Sequence, residues 1–339
     1  MKKIVLILSS IALMLSVNAQ TIALHSSTGV QIFHGASALV DAYTVAQNTD
    51  TLYLSGHSFT PPTPFDKQLI IYGAGHYVDS TLATGKTSFN GTVLLSENAD
   101  GFHLEGVEIN GQFNFSSNHS VNNVVLKRCK LNNTVNIQGN LSNPSQNLAM
   151  IGNVFMLKVY LDNAQFSLIS NNIMAQTFLY SNSNVFNNNI IMGYVYGSSY
   201  EYLFFGNNNN LSNNIIIWDG YTAAPNGYGN TFYNNLYVEP APTYGTLGTA
   251  LGTYPGVAQT AIFVNQTGLT FNYAHDYHLQ APTTYTGTDG SEIGIYGGYF
   301  PYKEGAVPIN PHIQYKNVAP TTDANGELQI LIQVEAQED

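Results

Sequence analysis

Cys129 is the only cysteine in 339 residues, so no disulfide can form within the chain. A chain of this size without one has to be stabilised by another route. Charge is also scarce. Asp, Glu, Lys and Arg make up 9% of the residues, with 10 basic side chains against 21 acidic ones. A net charge of −11 excludes nucleic acid or an anionic lipid surface held by general electrostatics. No Cys/His spacing of a metal site occurs, and nothing calls for a cofactor. Beyond residue 19 no apolar run reaches the roughly 20 residues that a membrane helix needs.

The one long apolar run opens the chain. Lys2 and Lys3 precede an apolar stretch over residues 4–17, and Val17-Asn18-Ala19 offers small residues at a cleavage point. That is the layout of a cleaved secretory leader, residues 1–19, with Gln20 as the new N-terminus. The product is expected to be secreted, whether to periplasm, outer surface or medium, with no membrane span after cleavage. No cysteine follows the leader to take a lipid.

What the chain does have is a repeat. Short apolar segments recur at an average step of roughly 21 residues, within the range of repeat architectures. They begin at His103, Val125, Ala149, Leu168, Val185, Asn210 and Thr231. Two columns are apolar throughout. One holds Leu104, Leu126, Met150, Ile169, Phe186, Leu211 and Phe232; the other holds Ile109, Leu131, Phe155, Met174, Ile191, Ile216 and Tyr237. Between them runs a column of Val107 and Cys129 followed by Asn153, Asn172, Asn189, Asn214 and Asn235. The segments are too short for helices and read as strands flanking a tight turn. Coils of this length bury their apolar columns only by stacking, strand on strand, at about 4.8 Å. An Asn at such a turn tolerates left-handed backbone angles. Asn in register can also pass hydrogen bonds from coil to coil, as a ladder. Cys129, in the ladder column ahead of the Asn run, reads as a buried, inert thiol.

The predicted fold is therefore all-β, a right-handed parallel β-helix over residues 20–307. A short helix over residues 37–47, with Ser37 as N-cap and Leu39, Val40, Tyr43 and Ala46 on one face, is placed to close the first coil. Residues 308–339 form a tail with one alternating strand, residues 327–334.

The opening "ALVDAYTVAQNTDTLYLSGHSF" and "QLIIYGAGHYVDST" resembles the start of pectate-lyase-like right-handed β-helix proteins. The closing "NYAHDYHLQAP" and "GTDGSEIGIYGGYFPY" resembles the last segment of secreted β-helix proteins of Bacteroidota. The likeness spans roughly residues 35–305, but a Ser-Pro-Ala stretch of the usual form is here Pro282-Thr283-Thr284-Tyr285. It implies the fold; the activity is open, because this fold carries lyases, hydrolases and adhesins. A uronate lyase would need a Lys or Arg base and acids holding calcium, and a hydrolase would need paired carboxylates.

The central coils offer little of either. Lys158 is the base among residues 149–237, and Asp162, Glu201, Asp219 and Glu239 never pair at one coil spacing. No catalytic residue is assigned. His275, Asp276 and His278 could suggest a metal, but read better as a turn held by Asp and His, and Asp289-Gly290 as another turn. Aromatic residues are the stronger clue, since exposed rings on a β face can stack on sugars. Trp218, Tyr194, Tyr196, Tyr221 and Tyr228 are the expected platform, with Trp218 pointing outward. Two functions follow. One is a non-catalytic glycan-binding protein, adhesin or scaffold whose partner is a polysaccharide or cell-surface glycan. The other is a polysaccharide lyase or glycoside hydrolase.

Overall fold

A computed structural model of the chain describes residues 20–175, 178–193, 204–218 and 227–336. The leader segment, residues 1–19, lies outside them. The described residues form a parallel β-helix whose coils each give a short strand to up to three sheets. One coil shows the pattern. His103–Glu105 lies in the first sheet, Glu108–Ile109 in the second and Phe113–Phe115 in the third. The chain then returns to the first sheet at Val125–Lys127, parallel to His103–Glu105. The three sheets hold 12, nine and six strands.

The expected apolar columns stack as predicted. Leu104, Leu126, Met150, Ile169, Phe186, Leu211 and Phe232 are register partners along the first sheet. Ile109 to Tyr237 follow one another likewise along the second. Both columns are buried and face one core inside the coils. Burying each such side chain contributes about 1.5–3 kcal/mol, which no single coil could obtain alone.

The asparagine ladder runs between those columns. The Asn172 N–H and Nδ2 both donate to Asn189 Oδ1, each at 3.0 Å. Asn189 repeats this onto Asn214, and Asn214 onto Asn235, at 2.9 Å throughout. The second amide hydrogen turns back one coil: Asn189 Nδ2 donates to the Ile169 carbonyl at 2.9 Å. Asn153, Asn172, Asn189 and Asn235 have no exposed surface, and Asn214 has none either. Ladder steps span 24, 19, 17, 25 and 21 residues, so coil length varies while the register holds. The extra residues lie away from this corner. Cys129 heads the column: its N–H donates to Asn153 Oδ1 at 2.9 Å, and burial pushes its thiol up to about 12. A thiol so raised stays protonated and unreactive at neutral pH.

The left-handed backbone belongs to the residue one place earlier. Asn171, Asn188, Asn213 and Asn234 have φ of 56°, 57°, 59° and 50°. In each Asn pair the first residue makes the turn and the second makes the ladder. A second buried ladder occupies the opposite end of the first sheet's strands. Ser167 N–H donates to Asn184 Oδ1, Asn184 to Asn209, and Asn209 to Asn230, each at 2.9 Å. It escaped the sequence alignment because it begins one residue before the aligned segments; Asn just ahead of Val185, Asn210 and Thr231 was its signal.

The N-terminal end is closed by more than the helix. Thr21–Ser26 and Gly29–His34 form a hairpin, and Thr21–Ser26 pairs antiparallel with Thr51–Leu54, ending the first sheet. The helix Ala38–Val45 buries Ala38, Leu39 and Ala42, while Val40 is exposed. Ser37 does not cap it: its hydroxyl donates to Asp41 at 2.6 Å instead. Lys67 serves the other end, donating to the carbonyls of Tyr43 and Ala46 at 2.7 and 2.9 Å, where a cation complements the helix dipole. The tail forms an antiparallel pair, His312–Val318 with Ile330–Glu335, in a sheet of its own. No helix among the described residues is long and apolar enough to cross a membrane.

Candidate functional site

The outward side of the second sheet decides where a site can be. Its outward column runs Ser58, Ser88, Glu108, Lys130, Val154, Ile173, Ile190, Ile215 and Leu236. The last five are apolar and buried. They are covered by a strap, residues 257–307, that folds back from the late coils toward the early ones. Ile262, Phe263, Tyr277, Leu279, Ile293 and Ile295 of the strap join them in a second core outside the coils. Strap backbone also seats on the turn asparagines. Asn171 Nδ2 donates to the carbonyls of Ile295 and Gly297, and Asn188 Nδ2 to that of Gly294.

Under the strap's far end the column turns charged. Glu108 is 5% exposed and takes ion pairs from Lys86 and from Lys130, the latter at 3.3 Å, and a hydrogen bond from Asn132 at 3.1 Å. Burial alone would raise its carboxyl, but these donors and charges hold it below the usual value. Lys130 lies 5.1 Å from the centre of the Tyr273 ring. The Tyr273 hydroxyl is 2.7 Å from His76 Nδ1 and donates to the His76 carbonyl at 3.2 Å. Both contacts are satisfied together if Nδ1 carries the ring proton, which leaves Nε2 as a bare lone pair. Nε2 indeed has no partner. Burial and the nearby Lys130 push the imidazole down to about 3. Burial and the Glu108 charge push the Tyr273 hydroxyl far above its ordinary value. At neutral pH the imidazole stays neutral and the tyrosine stays protonated; the pair clasps the strap to the early coils.

Beside this clasp is a cleft of about 260 Å³, lined by Tyr77, Tyr273, Tyr277, Tyr296 and Tyr302 with the carboxylates of Asp276 and Glu304. Tyr77 stacks on Tyr273 at 4.3 Å, and Tyr296 stacks on His278 at 3.9 Å. Tyr296 also donates to Glu304 at 2.9 Å. The rings are held before any ligand arrives. Among the described residues no Lys or Arg lines this cleft.

The residues expected from sequence fall elsewhere. Tyr194, Tyr196 and Tyr221 lie outside the described residues. Tyr228 is 51% exposed. Trp218 is a correction: it is 6% exposed and belongs to the core inside the coils. Strand alternation explains it. Ile215 and Ile217 face the strap, Ile216 and Trp218 face inward, because residues two apart share a face. Its ring lies against Gly193, where a Cβ would come within 2.8 Å of it. Its Nε1 has no hydrogen-bond partner. Trp218→Phe is therefore expected to change stability by less than about 1 kcal/mol, since it removes an unpaired buried donor along with some apolar area. A thermal melt checks this; a loss several times larger would mean that the indole N–H is satisfied.

The expected turn holds only for His275, whose N–H donates to the Asn272 carbonyl at 3.1 Å; Asp276 and His278 lie instead on a strand, Asp276–Leu279. Asp276 accepts from the His278 N–H at 3.0 Å and contacts its ring nitrogen at 2.8 Å. Asp289 accepts from the Ser291 N–H at 3.1 Å. Among the described residues no group of three His, Cys, Asp or Glu is placed to hold a metal ion. The strap cleft was missed because its rings come from residues 77 and 273–302, brought together only by the fold-back. Compared with known proteins, the chain matches no family, no curated protein and no solved structure.

Proposed function

We propose that this chain is an exported, non-catalytic β-helix protein that binds a neutral glycan in the strap cleft. The observation that carries the reading is the cleft itself, five tyrosine rings with two carboxylates and, among the described residues, no basic side chain but His275. Aromatic faces stack on the C–H faces of sugar rings. Carboxylates accept hydrogen bonds from sugar hydroxyls. The volume suits one or two sugar units rather than a larger ligand, being below the roughly 300 Å³ at which drug-sized sites begin. Export rests on the leader-like residues 1–19.

A hydrolase is the second reading, because Asp276 and Glu304 line the same cleft. Against it, Asp276 is engaged by His278 and Glu304 by Tyr296. The test is calorimetry of the purified protein with neutral gluco-, xylo-, manno- and galacto-oligosaccharides. At least one is expected to bind, with little change up to 0.5 M salt, about the range in which ion-pair contacts are screened. Tyr296→Ala should weaken it about tenfold, the value of one stacked ring. Binding of none of them sinks the proposal. Sustained release of reducing or unsaturated ends would replace it with the enzyme reading.

A further inference from the structure

Each carboxylate of the strap cleft has one oxygen engaged and one open. Glu304 Oε1 accepts from the Tyr296 hydroxyl at 2.9 Å. Asp276 Oδ1 accepts from the His278 N–H at 3.0 Å and lies 2.8 Å from the His278 ring nitrogen. Among the described residues nothing bonds to Glu304 Oε2 or Asp276 Oδ2, and neither carboxylate is in an ion pair with Lys or Arg. The engaged oxygen holds each group in place, and the other is left for a ligand. A chain with 10 basic residues against 21 acidic ones has few cations of its own to spare for it.

The rings ask for the same kind of ligand. Tyr296 and Tyr302 meet at 82°, with centres 6.3 Å apart, as two sides of a corner. A tyrosine face carries the negative part of the ring quadrupole and attracts a cation within about 6 Å of its centre. Tyr273 already has one. Lys130 lies 5.1 Å from its centre, and is itself paired with Glu108 at 3.3 Å. Among the described residues no Lys or Arg lies over Tyr296 or Tyr302. Burial first, and the Glu304 charge after it, push both hydroxyls far above their ordinary value, so the two rings stay protonated at neutral pH.

We propose that the sugar this cleft prefers carries a free amine, whose ammonium is drawn to the open oxygens of Asp276 and Glu304 and to the faces of Tyr296 and Tyr302. This preference rests on the cleft taking a sugar ring at all, and adds the ring's substituent. A hydroxyl at the same carbon gains a neutral donor's bond to a carboxylate. An ammonium gains charge-assisted bonds and the pull of the rings together. An N-acetyl group brings no charge and more bulk into about 260 Å³.

The test is calorimetry at neutral pH with short β-1,4 oligomers in the gluco and galacto series. Each series is made in three forms that differ at one carbon: hydroxyl, free amine and N-acetylated amine. In a series that binds, the free amine should bind at least about tenfold tighter than the hydroxyl form. Its binding should also draw protons from the buffer, since the carboxylates favour the charged amine. Salt at about 0.5 M should shrink that advantage at least about threefold. The double variant Asp276→Asn, Glu304→Gln keeps the size of each group and one acceptor oxygen. In it the ratio of the two affinities should fall to within about twofold of one. Because the ratio is read, a weakening common to both ligands does not blur the result, and the salt and proton measurements on the wild type decide the matter without any variant. An amine form that binds where no hydroxyl form does supports the preference and ends the neutral-glycan reading. Amine and hydroxyl forms binding alike, or an advantage unmoved by salt and by the double variant, overturns the preference and leaves the neutral-glycan reading standing. Ethanolamine binding as tightly as the amine oligomer overturns it too, because the ring would then contribute nothing. No form binding overturns both.

Discussion

Asn189→Leu should destabilise the protein by about 3–6 kcal/mol and lower its melting temperature by roughly 10 °C or more. The side chain makes four hydrogen bonds inside the rod. Its Oδ1 accepts the N–H and Nδ2 of Asn172, and its Nδ2 donates to the Ile169 carbonyl and to Asn214 Oδ1. Leucine matches the volume but replaces none of these bonds. The Asn172 N–H and one of its Nδ2 hydrogens are then buried without partners, while the Ile169 carbonyl keeps its place in the strand ladder, and each such orphaned donor costs about 1–3 kcal/mol. The control is Asn110→Leu, because Asn110 also belongs to an asparagine chain, between Asn90 and Asn132, but on the exposed surface. Water replaces its lost bonds, so the change should stay within about 0.5 kcal/mol. If the two variants melt together, the buried column is not what holds the coils in register.

The strap should open in acid before the coils unfold. His76 has an ordinary pKa of 6.5 and about 3 in the fold. Between those values the unfolded or opened chain binds a proton that the closed form refuses. Stability is complete above pH 6.5 and falls as pH drops toward 3, by about 1.4 kcal/mol for each pH unit and by about 4–5 kcal/mol across the whole window. The Glu108 carboxyl adds a loss of the same sign lower down, since its depressed pKa stabilises the fold only while it stays ionised. Measurements between pH 6.5 and 4.5 stay above most of that loss, and comparison with His76→Leu separates the histidine from Glu292 of the strap, whose carboxyl is pushed up by burial. Because His76 lies where the strap is clasped, local opening relieves it at less cost than global unfolding. Hydrogen exchange in residues 270–305 should speed up about a hundredfold from pH 6.5 to 4.5, after correction for the intrinsic rate. In His76→Leu that extra acceleration should vanish. Equal protection at both pH values in the wild type would show that the clasp does not titrate.

The fold was legible because the repeat carries three columns at once. Leu126, Asn153 and Phe155 each have sisters at matching places in the neighbouring coils, and only stacked coils satisfy all of them. Coil lengths from 17 to 25 residues did not hide this, because the variable part lies outside the aligned corner. The strap was harder. Val154-Phe155, Ile173-Met174, Ile190-Ile191 and Ile215-Ile216 are apolar at both positions, which signals a sheet buried on both faces. Only the inward residue of each pair belongs to the apolar columns that mark the repeat. What covers the other face is not periodic and lies up to 126 residues away, as with Asn171 and Gly297, so the tyrosine cleft had no local signature. Trp218 went wrong for the same reason: with its outward neighbours Ile215 and Ile217 already apolar, alternation alone would have placed it inside.

The strap also sets an order of assembly. Coils can stack as they emerge, each templating the next, but the strip formed by Val154, Ile173, Ile190, Ile215 and Leu236 has no cover until residues 257–307 are made. For that interval the growing rod presents a long, flat, apolar face of the kind that draws other chains. The segment made late is the one that renders the earlier coils safe. A chain stopped near residue 255 should keep its ladder and its coils and yet associate, because what it lacks is its shield.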